Sequence, residues 1–108
     1  MDVEDIAGKL LELKTMVDYQ EGSVVSRTLV EKPGGTITLF AFDKGQGLSE
    51  HTAPFDALAL IIDGQAEISI SGKSQRVSVG EMIIMPADVP HALKTIEKFK
   101  MMLVMIKS

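Results

Sequence analysis

The sequence predicts an all-β domain of the sandwich or barrel kind with a short N-terminal helix. Three observations lead there. Runs of four to eight apolar or β-branched residues recur along residues 22–108. Turn signals separate them every 8–12 residues, and no helical period is found after Gly22. The chain of 108 residues has the length of one domain, divided into a helical segment over 1–21 and a barrel over 22–108.

The elements follow in order. Ile6, Leu10, Leu13 and Val17 fall at i, i+4, i+7 and i+11, which predicts an amphipathic helix over 3–17 with Asp2 as its N-cap. Gly8 weakens that helix by about 1 kcal/mol relative to Ala, so packing must sustain it. Ser23–Glu31 and Thr36–Asp43 flank the Lys32-Pro33-Gly34-Gly35 turn and read as a hairpin. Leu48–Ala53 is a short strand ended by Pro54. Ala57–Ile62 and Ala66–Ser71 flank Asp63-Gly64, a strong hairpin signal. Gln75–Val79, Met82–Met85, His91–Glu97 and Phe99–Ile106 complete the set. Phe99–Ile106 is apolar on both faces, so its second face needs cover from the N-terminal helix or from another subunit.

Composition narrows the chemistry. The chain has no Cys, which removes thiol nucleophiles, iron–sulfur clusters and thiolate zinc sites. It has no Asn, so no N-glycosylation, and two histidines only, His51 and His91. Net charge is −4, and residues 1–21 account for all of it, so no basic face for nucleic acid is expected. The N-terminus carries acids where a secretory signal needs positive charge. The longest apolar runs, Ala57–Ile62 and Met101–Ile106, fall far short of the roughly 20 residues that span a bilayer. No membrane association and a cytoplasmic location are the expectations. Gly72-Lys73-Ser74 imitates the end of a phosphate loop, but Glu67 stands where its first Gly belongs; no nucleotide cofactor is expected.

The histidines fall in two spaced motifs. Gly45, five residues, His51-Thr52-Ala53, three residues, Ala57, six residues and Gly64 form the first. Gly80, five residues, Pro86-Ala87-Asp88, two residues, His91, three residues and Thr95 form the second. In order and separation these resemble the two motifs of the cupin superfamily. The resemblance covers Gly45–Thr95 and implies a double-stranded β-helix, or jelly-roll, barrel. It also implies a homodimer, expected to use the Phe99–Ile106 region and exchange of Ser23–Glu31. Metal-dependent cupins supply three His and one Glu. His51 and His91 hold two of those positions, while Ala53 and Ala57 replace the second His and the Glu. Asp88 and Thr95 replace the Gly and Asn of the second motif.

Strict alternation puts Ser49, His51 and Ala53 on the inner face of their strand, with Leu48 and Glu50 on the other. The neighbouring inward positions are then Ala57, Ala59 and Ile61, and His91, Leu93 and Thr95. The expected pocket is therefore Ser49, His51, Ala53, Ala57, Ile61, His91, Leu93 and Thr95, apolar with a few convergent polar groups. His51 and His91 are the candidate metal ligands for a divalent transition metal (Zn, Fe, Mn or Ni), one short of the usual three. Five of the seven methionines follow residue 81 and serve as core filler or line an adaptable pocket. Three functions compete: a small-molecule-binding barrel, a metal-dependent oxygenase or isomerase with a reduced two-His site, and a metal-free isomerase or cyclase with a histidine as general base.

Overall fold

The computed structural model describes residues 6–107. They form two antiparallel sheets. β1 (Val24–Lys32), β2 (Gly35–Phe42), β4 (Asp56–Asp63), β7 (Met82–Met85) and β9 (Phe99–Ile106) make the larger sheet, in the order β1-β2-β9-β4-β7. β3 (Gly47–His51), β5 (Gln65–Ile70), β6 (Lys73–Ser78) and β8 (His91–Thr95) make the smaller one, in the order β3-β8-β5-β6. All nine expected strands are present. Their inner faces enclose Phe42, Ala59, Ile61, Ala66, Ile68, Phe99 and Met101, none of which is exposed to solvent. The Phe42 and Phe99 rings stack with centroids 4.6 Å apart.

Turn chemistry behaves as expected at two hairpins. Lys32 pairs with Gly35 across Pro33-Gly34. Ile70 pairs with Lys73 across Ser71-Gly72, where both turn residues have positive φ. Asp63-Gly64 is different. β4 and β5 belong to different sheets, so Gly64 turns a corner of the barrel instead of closing a hairpin. The reason lies in the backbone: Gly64 has φ +70°, and a Cβ there would collide with the Lys98 carbonyl. A glycine is needed for both the conformation and the close approach.

The N-terminal helix is not formed as expected. Val3–Asp5 and the proposed cap Asp2 lie outside the described residues. Ile6 is helical, but Gly8 takes φ +77° and ends the helix, and Leu10 is fully exposed. The remaining helical structure is a 3₁₀ turn at Leu13–Thr15. Ile6, Leu13 and Val17 nevertheless reach one apolar cluster, with Leu29, Leu39 and Ala41 on the outer face of the larger sheet. Polar contacts pin the segment there. Lys100 Nζ donates to the Lys14 carbonyl at 2.6 Å, and Arg27 donates to the Met16 carbonyl at 3.0 Å. Tyr19 donates to Asp63 at 2.7 Å, and the Lys98 and Lys100 ammonium groups stand 4.7 and 5.0 Å from its ring centre. This segment covers Met102 of β9, while Ile106 at its end remains about half exposed.

Candidate functional site

The site begins with an irregularity in β3. β3 pairs antiparallel with β8, Leu48 facing Leu93 and His51 facing His91, with a bulge between. Three steps along β3 match two along β8, so one extra residue is inserted. Simple alternation would place Leu48 outward. The bulge brings Leu48 and His51 to the same inner face and leaves Ser49 exposed.

Inside lies a cavity of about 60 Å³, lined by Leu48, His51, Ala53, Ala57, Met85, His91, Leu93, Met101, Leu103 and Met105. Five of the eight residues expected from the sequence share it: His51, Ala53, Ala57, His91 and Leu93. Three do not. Ser49 is turned out by the bulge. Ile61 is fully buried in the core further along β4. Thr95 accepts the Gly45 N–H at 2.8 Å through its hydroxyl, which joins the two motifs at the opposite end of β8 from His91. The sequence reading placed Leu48 on the wrong face and did not extend the lining to Leu103. Met85, Met101 and Met105, which the sequence offers as core filler or as lining of an adaptable pocket, stand in the same wall as the histidines.

The two imidazoles meet edge to face, with ring centroids 4.3 Å apart and Nε2 atoms 3.1 Å apart. His91 is buried and His51 exposed, so His91 is the inner member and His51 faces the mouth. Each Nδ1 points at a backbone carbonyl, His51 at Ser49 (2.8 Å) and His91 at Val89 (3.2 Å). A carbonyl oxygen only accepts, so both Nδ1 atoms carry the proton. In the neutral rings both Nε2 atoms then present lone pairs, and these converge. Burial holds the His91 pKa below its ordinary value, His51 lowers it further, and the Val89 carbonyl opposes the shift.

Two lone pairs at this distance repel unless a cation or an acidic hydrogen lies between them. A backbone carbonyl on Nδ1 is also the usual outer partner of a metal-ligating histidine, because it fixes the tautomer and aims Nε2. Two bonds of about 2.0–2.1 Å at a tetrahedral angle would separate the nitrogens by about 3.3 Å, close to the spacing here. The pair therefore fits two positions of a metal shell. Among the described residues no group of three or more His, Asp or Glu comes together. Asp56, beside the position the resemblance assigns to Glu, is engaged elsewhere: its carboxylate accepts the Ala87 N–H at 2.8 Å. Asp88 donates its N–H to the Ala53 carbonyl at 2.8 Å. These two bonds clasp the loop at 86–90 to Ala53 and to the start of β4, and the clasp sets the position of Val89 behind His91.

The family model described as "Cupin domain" matches residues 38–107. Among solved structures, a conserved Streptococcus pyogenes protein of unknown function is 42% identical, with 94% of this chain and 89% of that chain covered and a TM-score of 0.88. A Cupin 2 conserved barrel domain protein from Leptotrichia buccalis is also 42% identical, with 90% of this chain and 47% of that one covered and a TM-score of 0.87. A cupin superfamily protein from Desulfitobacterium hafniense is 27% identical, with 94% and 93% covered and a TM-score of 0.88. No curated protein matches.

Proposed function

Since the chain belongs to the cupin domain family, we propose that it is a small-molecule-binding barrel whose binding centre is the His51–His91 pair. The convergence of two Nε2 lone pairs at 3.1 Å, each enforced by a carbonyl on the opposite ring nitrogen, carries this reading. A site built this way receives something electrophilic: a metal ion, or the acidic hydrogen of a small ligand. His51 and His91 would hold a transition metal, and the ion would polarise a chelating oxygen or nitrogen of the ligand that completes its shell. The chain's own contribution is positional. The Ser49 and Val89 carbonyls fix both tautomers, and the Ala53 and Ala57 side chains leave room where bulkier ligand residues would stand. Leu48, Leu93 and Leu103 keep the surroundings apolar, which strengthens polar contacts to the pair.

The test is elemental analysis of untagged protein, followed by calorimetric titration of divalent metals into wild type, His51→Ala and His91→Ala. Binding in wild type that both variants lose supports the metal form of the reading. If no metal binds, a screen of small carboxylic acids follows, and ligand binding that both variants lose supports the metal-free form. Binding that neither variant disturbs overturns the proposal.

A further inference from the structure

The environment of the histidine pair has a chemical bias. Among the described residues no carboxylate lines the cavity, and three thioethers do: Met85, Met101 and Met105. The sheet register shows how two of them are placed. Ala57, at the position where the resemblance expects a carboxylate, lies opposite Met85 on β7 and opposite Met105 on β9. Directly opposed residues share a face, so the smallest chiral side chain stands between two of the longest apolar ones. Ala57 offers no hard oxygen donor, and its small side chain leaves open the space that these thioethers border.

Oxygen donors select Mg, Ca and Mn, imidazoles suit several transition metals, and thioethers select Cu(I). We propose that the cavity is a soft-metal site for Cu(I), with the His51 and His91 imidazoles and the thioether of Met85 or Met105 as ligands. This rests on the reading of the histidine pair as the binding centre and adds the identity of the ion and of its sulfur ligands. The two imidazole nitrogens supply the neutral, preoriented donors. The flexible, polarizable methionine side chains supply the soft third donor without a charge that the apolar cavity would have to solvate. No oxidation step is involved: the ion enters and stays as Cu(I).

Anaerobic titration of Cu(I) against a chromogenic Cu(I) chelator, with Zn(II) titrated in parallel, tests this. The proteins are wild type, Met85→Leu, Met105→Leu, the double variant and His51→Ala. Leu for Met conserves volume, and circular dichroism checks that each variant folds. Cu(I) should bind with one equivalent and more tightly than Zn(II). The double Leu variant should lose at least tenfold in Cu(I) affinity with Zn(II) affinity unchanged, and X-ray absorption of the wild-type complex should show a sulfur scatterer at copper. Zn(II) binding as tight as Cu(I), or Cu(I) affinity and absorption spectrum unaltered in the folded double variant, overturns the soft-site assignment and leaves the histidine pair standing. If His51→Ala leaves metal binding intact, the histidine-pair reading fails and the assignment falls with it.

Discussion

The Asp56 carboxylate and the Ala87 amide are joined by a 2.8 Å hydrogen bond that spans 31 residues of sequence. It ties the start of β4 to the loop that carries Val89, and Val89 sets the tautomer of His91. Asp56→Ala should cost about 1 kcal/mol, the typical net contribution of one hydrogen bond, because this bond is exposed to solvent; urea denaturation measures it. It should also weaken ligand binding at the histidines by loosening the loop. Equal ligand affinity in the variant would show that the clasp does not position His91.

The two histidines oppose each other electrostatically when nothing lies between them. His51→Ala removes one of the facing lone pairs from an exposed position at the cavity mouth. Its melting temperature without ligand should therefore equal or exceed that of wild type, while binding is lost. A fall of several degrees would instead assign His51 a structural role.

Tyr19 and Asp63 give the fold a pH signature. The Tyr19 hydroxyl is the first cause holding the Asp63 carboxyl below the ordinary carboxylate range, with Lys14 and Lys100 acting in the same direction and burial opposing. The folded value lies below the unfolded one of about 3.9, so this stability is present above that pH and is lost as pH falls through the folded value. Burial, then the bond to Asp63, pushes Tyr19 well above its ordinary value. That contribution is present below about pH 10 and is lost as pH rises beyond it. Tyr19→Phe should lower stability near neutrality by about 1 kcal/mol and flatten both limbs in a denaturation series across pH. Unchanged limbs would refute the assignment.

Asp88 occupies the left-handed region at φ 63°, at the position where the second motif has Gly. Left-handed backbone costs an ordinary L-residue about 1–2 kcal/mol, less for Asp, and Gly avoids the cost at some loss of unfolded-state entropy. Asp88→Gly should stabilise the protein by up to about 1 kcal/mol in thermal unfolding, with the Ala53 clasp retained because it uses only the backbone N–H.

The outer face of the larger sheet carries an aliphatic row across all five strands: Ile84, Leu58, Val104, Ile37 and Val30, each opposite the next. At a strand spacing of about 4.8 Å the row is roughly 20 Å wide. An apolar groove of about 490 Å³, lined in part by Val30, Ile37, Val104 and Ile106, continues it. We propose that a second copy of the chain covers this face. Light scattering at micromolar concentration should give twice the chain mass, and Val104→Lys should reduce it to the single-chain mass. A single-chain mass for wild type would refute the dimer.

The sequence made the strands legible because Pro, Gly and alternating apolar residues mark their ends, and because the motif spacing puts the two histidines at comparable barrel positions. What it concealed lies in backbone irregularities that residue patterns do not record. Alternation has period two, so one inserted residue reverses every later assignment, and the β3 bulge did so for Leu48 and Ser49. Asp63-Gly64 satisfies a hairpin signal and a barrel corner equally, and only the pairing of β5 with β8 separates them. At the N-terminus the helical spacing of Leu10 suggested burial, while the left-handed Gly8 turned that side chain into solvent.

The cavity wall is drawn from both sheets: His51, His91, Leu48 and Leu93 from the smaller, Ala57, Met85, Met101, Leu103 and Met105 from the larger. Whatever fills it becomes a rivet between the two layers, bound only while they are docked. Its affinity is then added directly to the work of prising them apart, about 2.7 kcal/mol at a hundred times its dissociation constant. A thermal-shift panel of metal ions and small acids would consequently report the natural occupant by its stabilisation alone.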